Sequence, residues 1–529
     1  MKHYQTDVAI IGGGIAGVVT ALELLEAGRS VALFERERPE RFGGSALEAF
    51  GGLFFVDSPE QRRMKIVDTP DKAFEDWRNF AEFENGEIWP RLWAKHLVER
   101  STPDAHDWLK KFGISWLPVV LWVERGVRPK GNSVPRFHLT WGTSRHLITT
   151  LMAALAKHEN ARFLTLNFGH RVEELETNGP RVTGFTGVME EGGEFRCEAA
   201  HVVIAAGGIG GDLKQVRQHW LPGSGLSAPD TILLGTHPSS DGRLLTAAEK
   251  AGARVVNVGR MWNYAAGIRH PRPQWPGHGV SLVPPKSALW ADAHGRRLMP
   301  PMVSGFDTYD LVRRVSAAPH GFTWQIMNRR IALKELAASG ADWNPALRER
   351  KLLQFVSDML LGNRWIVGDL TAHCPDVVVG RTVEELAAKM NELQPAAHVD
   401  PVALKAEIER FDATIGGGDE QRQLIETLRS YRGDRMRLAK GQRILSRWGG
   451  PLIAICEHVV TRKSLGGVVT DLKSRALNGA DRAITGLYAV GEAAGFGGGG
   501  SHGYRALEGT FLLSCVITAR RAAEAIVRG

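Results

Sequence analysis

The glycine pattern within residues 7–35 constrains the fold of this chain more than any other part of the sequence. A short apolar segment predicts a buried strand, and it runs into Gly12, Gly14 and Gly17 in GxGxxG spacing. A helical apolar pattern follows, and a second apolar segment ends at Glu35. This order predicts a βαβ unit in which Gly12 permits the tight turn, Gly14 admits a pyrophosphate and Gly17 allows close helix–strand packing.

The same unit predicts a dinucleotide site. The helix that opens at Ile15 and Ala16 presents free N–H groups and the positive end of its dipole to the pyrophosphate. Glu35 follows Gly17 by eighteen positions, where a carboxylate accepts the hydroxyls of an adenosine ribose. Its neighbour Arg36 joins the candidate binding residues. An accidental glycine-rich turn is the alternative, which the flanking strand, helix and acid disfavour.

Length and composition set the broad class. A chain of 529 residues is too long for one ordinary core, so we expect at least two domains. Hydrophobic residues make up 43% and charged residues 23%, as in a typical soluble globular protein. No apolar segment approaches the ~20 residues that cross a bilayer. The first strand begins near Asp7, which leaves no room for a signal peptide, so we predict a cytoplasmic protein.

Cysteine spacing and charge argue against several other classes. The four cysteines are far apart and form no CxxC pair, so we expect no zinc, iron–sulfur or other metal site and no disulfide framework. The formal net charge of +8 comes from basic residues spread along the chain. This distribution predicts a solvated basic surface rather than a nucleic-acid or membrane partner.

The remaining pattern predicts an interrupted first domain. In the first half we expect a helix over 144–157 with Ser144 as its N-cap, strands over 161–176 and 181–190, and a strand over 201–208. Residues 255–450 differ in character and contain five short helical patterns, at 309–316, 324–339, 345–361, 382–393 and 402–414. The chain then returns to glycine-rich strands at 464–470 and 486–495 and a terminal helix at 509–527.

These pieces, in this order, resemble the flavoprotein superfamily of fumarate reductases, succinate dehydrogenase flavoprotein subunits and 3-ketosteroid dehydrogenases. Besides the βαβ unit, the matching motifs are Gly-Gly-Ser…Gly-Gly at 43–52, Ala-Ala-Gly-Gly at 205–208, and Gly-Leu-Tyr-Ala-Val-Gly-Glu at 486–492. The resemblance implies an α/β fold with a GxGxxG-type, glutathione-reductase-like three-layer FAD-binding domain. Residues 1–254 and 451–529 would form it, and 255–450 would be an inserted α+β substrate or cap domain over the flavin.

The resemblance also implies how FAD is held. The segment with Glu492 would run along the ribityl and pyrophosphate part, a turn carboxylate being its alternative role. The last helix would point its N-terminus at the isoalloxazine ring. Respiratory members attach FAD through a histidine where this chain has Ser45, so non-covalent FAD is expected. The candidate cofactor-binding residues are Gly12, Gly14, Ile15, Ala16, Gly17, Glu35, Arg36, Gly43, Gly44, Ser45, Gly51, Gly52, Val172, Ala205, Ala206, Gly207, Gly491, Glu492, Gly509, Thr510 and Phe511.

The family chemistry moves a hydride between flavin and one carbon while a protein group transfers a proton at the adjacent carbon. Fumarate reductases have His-Gly-x-Asn-Arg before the last helix, with the arginine on a substrate carboxylate. His502 and Arg505 match this motif, while Tyr504 replaces the asparagine. A structural ion pair for Arg505 and a backbone hydrogen bond for His502 are the alternative roles.

Other fumarate reductase positions differ here. After 291–299 no arginine follows until Arg313, and Arg462-Lys463 replaces the histidine expected before Leu-Gly-Gly. Ketosteroid dehydrogenases use tyrosines instead, so Tyr504, Tyr264 and Tyr309 are candidates, with core packing as the alternative for the last two.

The sequence therefore favours an FAD-dependent oxidoreductase acting on a CH–CH bond next to a carbonyl, resembling 3-ketosteroid 1-dehydrogenases. The expected substrate is a small, apolar carbonyl compound, with an electron acceptor not identified and the oligomeric state open. The main alternative is a reductase of an unsaturated carboxylic acid, resembling fumarate or urocanate reductases. Lesser alternatives are a flavin monooxygenase and a flavin-binding protein without redox turnover.

Overall fold

The computed structural model describes residues 1–415, 417, 419–438 and 440–529. The chain divides into two compact units. The first unit comprises Met1–Pro222, Thr236–Trp262 and Lys463–Gly529, and the second comprises Gly223–Gly235 and Asn263–Arg462. The segment 223–235, expected in the first domain, thus belongs to the second unit. The first unit also continues beyond the expected end at residue 254 and resumes at Lys463 rather than at 451.

The strands are, in chain order, β1 Lys2–Ile11, β2 Val31–Glu35, β3 Gly52–Phe54, β4 Phe137–Leu139, β5 Leu164–Phe168, β6 His170–Asn178, β7 Arg181–Met189, β8 Glu194–Ile204, β9 Ile232–Leu234, β10 Val255–Val256, β11 Met261–Arg269, β12 Gly279–Val283, β13 Leu289–Ala291, β14 Phe322–Asn328, β15 Ala337–Ala338, β16 Val377–Gly380, β17 Leu452–Ser464, β18 Gly467–Val468, β19 Arg475–Leu477 and β20 Ala483–Ala489.

The α-helices are α1 Ile15–Glu26, α2 Pro59–Arg63, α3 Pro70–Ala81, α4 Ile88–Arg100, α5 Asp107–Lys111, α6 Thr143–Ala156, α7 Leu213–Gln218, α8 Arg243–Lys250, α9 Thr308–Ala317, α10 Arg329–Glu335, α11 Pro345–Arg348, α12 Leu352–Leu361, α13 Arg364–His373, α14 Val383–Leu393, α15 Pro401–Ala413, α16 Glu420–Ser430, α17 Arg432–Arg437 and α18 Thr510–Arg528. Within the described ranges, none of them is both long enough and apolar enough to span a lipid bilayer.

A largely parallel sheet forms the centre of the first unit, in the order β19-β20-β7-β8-β1-β2-β5. β1 pairs in parallel with both β2 and β8, and β2 pairs in parallel with β5. The carboxyl half of β1 and all of β2 are buried, as expected for central strands covered on both faces. α1 packs against α18 and α6, which places the start of the last helix in the same unit as the glycine turn.

The second unit contains a mostly antiparallel sheet, in the order β13-β14-β17-β11-β12-β15. Here the helix predicted over 324–339 is correct only over α10, since the chain forms β14 before it and β15 after it. All seven residues of β14 are buried and pair with β17. Tertiary pairing and the strand preference of residues such as Trp324 and Ile326 outweigh the helical periodicity.

Several other local predictions need correction. The strand predicted over 161–176 is divided into a 3₁₀ turn at Ala161–Phe163, β5 and β6, and the helix predicted over 345–361 is divided into α11 and α12. The helix at 144–157 is confirmed as α6, but Gly142 occupies its N-cap. Ser144 instead donates its hydroxyl to the carbonyl oxygens of Ala46 and Ala49, at 2.6 and 2.7 Å.

Candidate active site

The glycine turn between β1 and α1 is closed on one side and open on the other. A Cβ atom on Gly17 would lie 2.0 Å from the carbonyl oxygen of Gly12. A Cβ atom on Gly12, whose φ is +107°, would lie 2.5 Å from the carbonyl oxygen of Ala205. Apart from its own chain neighbours, no described atom lies within 4 Å of the corresponding position on Gly14, the N-cap residue of α1. The turn is therefore compact inside and leaves an open approach to the amino end of α1.

Glu35 holds this turn through its buried carboxylate. One oxygen accepts the N–H of Gly13 at 2.7 Å, and the other accepts the N–H of Glu37 at 2.9 Å. Burial raises the pKa of Glu35, and these two N–H groups partly oppose the shift. Each oxygen has a second lone pair and can still accept a ligand hydroxyl. Arg36 pairs with Asp241 at 2.8 Å, within the same unit.

Two further segments lie along the glycine turn. A Cβ atom on Gly44 would lie 3.5 Å from the Cα atom of Gly14, which brings the 43–52 loop to the turn. Ala205, just beyond β8, donates its N–H to the carbonyl of Ile11 at 2.8 Å. Val172 is buried within β6, where it pairs with Gly187 of β7.

Glu492 is a second buried carboxyl in the first unit. One of its oxygens accepts the N–H of Ser464 at 2.8 Å, and the Ser464 hydroxyl accepts the N–H of Ile209 at 2.9 Å. A Cβ atom on Gly208 would lie 2.8 Å from the same Glu492 oxygen. Burial raises the pKa of Glu492 to about 7. Near neutral pH this group is therefore present both as a hydrogen-bond donor and as an acceptor.

This shift makes the stability of the apoprotein depend on pH. The pKa of Glu492 is about 7 in the folded state against 4.5 ordinarily, so the folded state binds more protons between these values. Its favourable contribution is complete below the ordinary pKa and disappears as the pH rises through the folded pKa, a change of roughly 3 kcal/mol. Between about pH 5 and about pH 8, we expect the free energy of unfolding to fall less in Glu492→Gln than in the unaltered chain. Urea titration at each pH measures this difference. Equal pH dependence in both proteins would contradict the burial of this carboxyl.

The amino end of α18 presents unpaired donors. Gly509 is its N-cap, with φ of +94°, and the N–H of Thr510 bonds to the carbonyl of Leu507 at 3.2 Å. Among the described residues, the N–H groups of Phe511 and Leu512 have no protein acceptor. The Nζ atom of Lys463 lies 4.1 Å from the centre of the Phe511 ring. The helix end and this ammonium group together favour an anionic or electron-rich ligand.

His502 is buried beside this helix end. Its imidazole stacks on Trp77, with ring centres 4.6 Å apart, and its Nε2 lies 2.7 Å from the Thr510 hydroxyl. Burial lowers the pKa of His502 to about 3. His502 is therefore neutral and a poor base, and its partner Trp77 was not among the residues singled out from the sequence.

Tyr504 belongs to a charged cluster in the same unit. Its hydroxyl donates to Glu84 at 2.5 Å, and the Arg260 guanidinium lies 4.0 Å from the centre of its ring. Arg260 also contacts Glu84 and Glu87, each at 2.6 Å. The hydrogen bond to Glu84 raises the pKa of Tyr504, while the same bond, followed by the charge of Arg260, lowers the pKa of Glu84.

The other candidate residues have separate surroundings. Arg505 forms an ion pair with Glu82, in agreement with its alternative structural role. Tyr264 and Tyr309 lie in the second unit, in β11 and in the first turn of α9. The first unit thus brings together His502, Tyr504 and Arg505, and their catalytic roles stay predictions.

These features fit a flavin adenine dinucleotide. The open N-cap of α1 suits a pyrophosphate, and Glu35 retains acceptor capacity for ribose hydroxyls. Glu492 offers a buried partner for a further hydroxyl. The two N–H groups at the start of α18 suit the electron-rich edge of an isoalloxazine ring.

The comparisons with known proteins agree with this fit. The model of the FAD binding domain family matches residues 7–512. A KsdD-like steroid dehydrogenase of Mycolicibacterium smegmatis is 40% identical over 530 residues, covering 96% of each chain. Two solved structures share the fold. 3-Ketosteroid Δ1-dehydrogenase from Sterolibacterium denitrificans has a TM-score of 0.72 at 16% identity, covering 99% of both chains. A flavocytochrome c3 fumarate reductase has a TM-score of 0.70 at 19% identity, covering 99% of this chain and 78% of that one. The chain therefore belongs to the FAD binding domain family and is an FAD-dependent oxidoreductase.

Proposed function

We propose that the chain dehydrogenates a carbon–carbon bond next to a ring ketone, with 3-ketosteroids as the substrate class. The observation that carries this proposal is the 40% identity over 96% of both chains to a protein named a KsdD-like steroid dehydrogenase. Agreement of this extent includes the whole second unit, for which we propose the role of the substrate domain. Two positions at which fumarate reductases handle a carboxylate differ in this chain: no arginine lies between residue 299 and Arg313, and Arg462-Lys463 replaces a histidine. Both differences support a ketone rather than a dicarboxylate.

FAD would be held without a covalent bond, since Ser45 stands where respiratory members of the superfamily carry a histidine. Glu35, the Gly14 turn and the start of α18 would hold it. Bound FAD supplies the acceptor for the hydride that leaves the substrate carbon.

The proton from the adjacent carbon would pass to Tyr504. As its oxygen takes this proton, the hydroxyl hydrogen moves along the 2.5 Å hydrogen bond to the carboxylate of Glu84. Arg260 would stabilise negative charge on the phenol oxygen during the transfer, because its guanidinium stacks on the ring. The Glu84 side chain is 56% exposed, so the proton then reaches solvent. His502 and Arg505 are poorer acceptors, one being neutral with a lowered pKa and the other ion-paired.

A steady-state assay tests this activity. With a 3-ketosteroid and an artificial electron acceptor, we expect the acceptor to be reduced and a steroid product two hydrogens lighter to form. Saturated dicarboxylic acids, offered under the same conditions, should give no turnover. Turnover of succinate with none of any ring ketone would contradict the proposal.

Reduction of an unsaturated carboxylate is the second candidate, favoured by the buried Arg505 beside His502. Its guanidinium already has Glu82 as a partner, which a substrate carboxylate would have to replace. Oxidation of reduced viologen by an enoate, lost in Arg505→Gln, would support this candidate. The fumarate reductase likeness, at 19% identity, bears on the fold alone.

A further inference from the structure

The buried imidazole of His502 leaves one polar atom without a partner. In the described part of the chain, Nδ1 has no hydrogen-bond partner, although the residue is 0% exposed. The imidazole ring stacks on Trp77, and the backbone N–H of His502 bonds to the carbonyl of Leu465 at 2.9 Å. These contacts hold the residue in place. Buried polar atoms are normally hydrogen-bonded, and this ring is fixed, so we expect a bound molecule to supply the missing partner.

The neighbouring hydroxyl defines what this atom can do. The Thr510 hydroxyl lies 2.5 Å from the carbonyl oxygen of Leu507, a distance that requires the hydroxyl hydrogen between the two oxygens. Thr510 has only that hydrogen to donate, so its oxygen accepts from Nε2–H of His502 at 2.7 Å. A neutral imidazole has a single N–H, which leaves Nδ1 with a bare lone pair.

We infer that His502 Nδ1 accepts a hydrogen bond from an N–H or O–H group of a molecule bound at the amino end of α18. The same molecule would accept hydrogen bonds from the N–H groups of Phe511 and Leu512, so it presents a donor together with an acceptor oxygen. The pyrimidine edge of a flavin has an N–H group next to a carbonyl oxygen, and the enol hydroxyl of a ketone substrate can both donate and accept. The inference rests on the proposed cofactor site and assigns His502 a positioning role rather than that of a base.

The lowered pKa of His502 agrees with this role. A group whose pKa is about 3 stays neutral throughout the working pH range and keeps its acceptor. A protonated ring would place a second N–H in the buried position, beside the partial positive charge of the helix end.

Two substitutions separate the two ring nitrogens. In His502→Asn the amide oxygen can occupy the position of Nδ1, while the contact with Thr510 is lost. In His502→Gln the longer amide reaches Thr510, while no acceptor remains at the Nδ1 position. FAD affinity is measured by titrating the apoprotein, and KM and kcat by assay of the FAD-loaded enzyme with a 3-ketosteroid.

If the cofactor supplies the donor, His502→Gln binds FAD about tenfold more weakly, the loss expected for one buried hydrogen bond, and His502→Asn stays within about threefold of the unaltered chain. If the substrate supplies it, FAD affinity is the same in all three proteins and KM rises in His502→Gln alone. A larger loss in His502→Asn than in His502→Gln, or equal effects in every assay, would overturn the inference. Because FAD titration needs no steroid, its result is independent of the proposed activity.

A second variant covers the case in which His502→Gln does not fold. Thr510→Val removes the acceptor for Nε2–H, so the ring can take the other tautomer and Nδ1 ceases to be a reliable acceptor. We expect Thr510→Val to bind the molecule that donates to His502 Nδ1 more weakly. Thermal unfolding shows whether the variant is folded. Unchanged FAD affinity together with unchanged KM would contradict the tautomer assignment.

Discussion

Tyr504→Phe is expected to lower both kcat and kcat/KM for a 3-ketosteroid by roughly 10²–10⁴, the usual contribution of a positioned acid–base group. The phenylalanine ring keeps the packing against Arg260 but cannot take the proton or pass it to Glu84. FAD content should stay unchanged, since Tyr504 holds no part of the glycine turn. The measurement is steady-state turnover, together with the rate of flavin reduction in a stopped-flow instrument.

Matched variants sharpen this result. Tyr488→Phe removes a hydroxyl from β20, where the centre of the Tyr488 ring lies 5.9 Å from that of His201, and should leave turnover near that of the unaltered chain. Glu84→Gln should lower turnover in the same direction as Tyr504→Phe, but less, because it removes only the second proton acceptor. A full rate in Tyr504→Phe, with the loss appearing in Tyr309→Phe or Tyr264→Phe instead, would show that the proton acceptor has been misassigned.

Gly17→Ala is expected to abolish tight FAD binding and to destabilise the first unit. Its Cβ atom would lie 2.0 Å from the carbonyl oxygen of Gly12, a backbone atom that cannot move without displacing the turn. Overpacking of this kind costs about 1–3 kcal/mol, and the shifted turn no longer presents the amino end of α1 correctly. Purified protein should be nearly colourless, with a lower urea midpoint, as measured by FAD titration and denaturant unfolding.

Two alanine substitutions serve as controls. Apart from its own chain neighbours, Gly14→Ala meets no described atom within 4 Å, so the apoprotein should unfold as usual while FAD affinity falls from crowding of the pyrophosphate. Gly368 is exposed in α13, and apart from its chain neighbours and the backbone of its own helix, no described atom lies within 4 Å of its Cβ position. Gly368→Ala should therefore lower neither FAD affinity nor the free energy of unfolding. Normal FAD affinity in Gly17→Ala would show that the turn tolerates a side chain, and it would contradict the assignment of FAD to this turn.

The βαβ unit and the last helix could be predicted because their signals are local. Gly12, Gly14 and Gly17 lie close together at the end of β1 and the start of α1, and α18 shows helical periodicity next to Gly509. The error at 324–339 has the opposite origin, since β14 is a strand because β17 lies beside it, more than a hundred residues later in the chain. Spacing within a segment does not report such a partner.

The candidate site shows the same limit. The sequence led to His502, Tyr504 and Arg505, since all lie in one recognisable motif. Their partners Trp77, Glu84 and Arg260 come from distant segments, and no local spacing marks them. The cytoplasmic location, the catalytic roles and the non-covalent attachment of FAD stay predictions.

The most direct test is an anaerobic mixing experiment with the yellow, FAD-loaded protein. Addition of a 3-ketosteroid should bleach the flavin band in a single turnover and yield one equivalent of a steroid lacking two hydrogens. A flavin band that no ring ketone bleaches, in a protein whose reduced form is readily reoxidised by an unsaturated carboxylate, would contradict dehydrogenation next to a ketone.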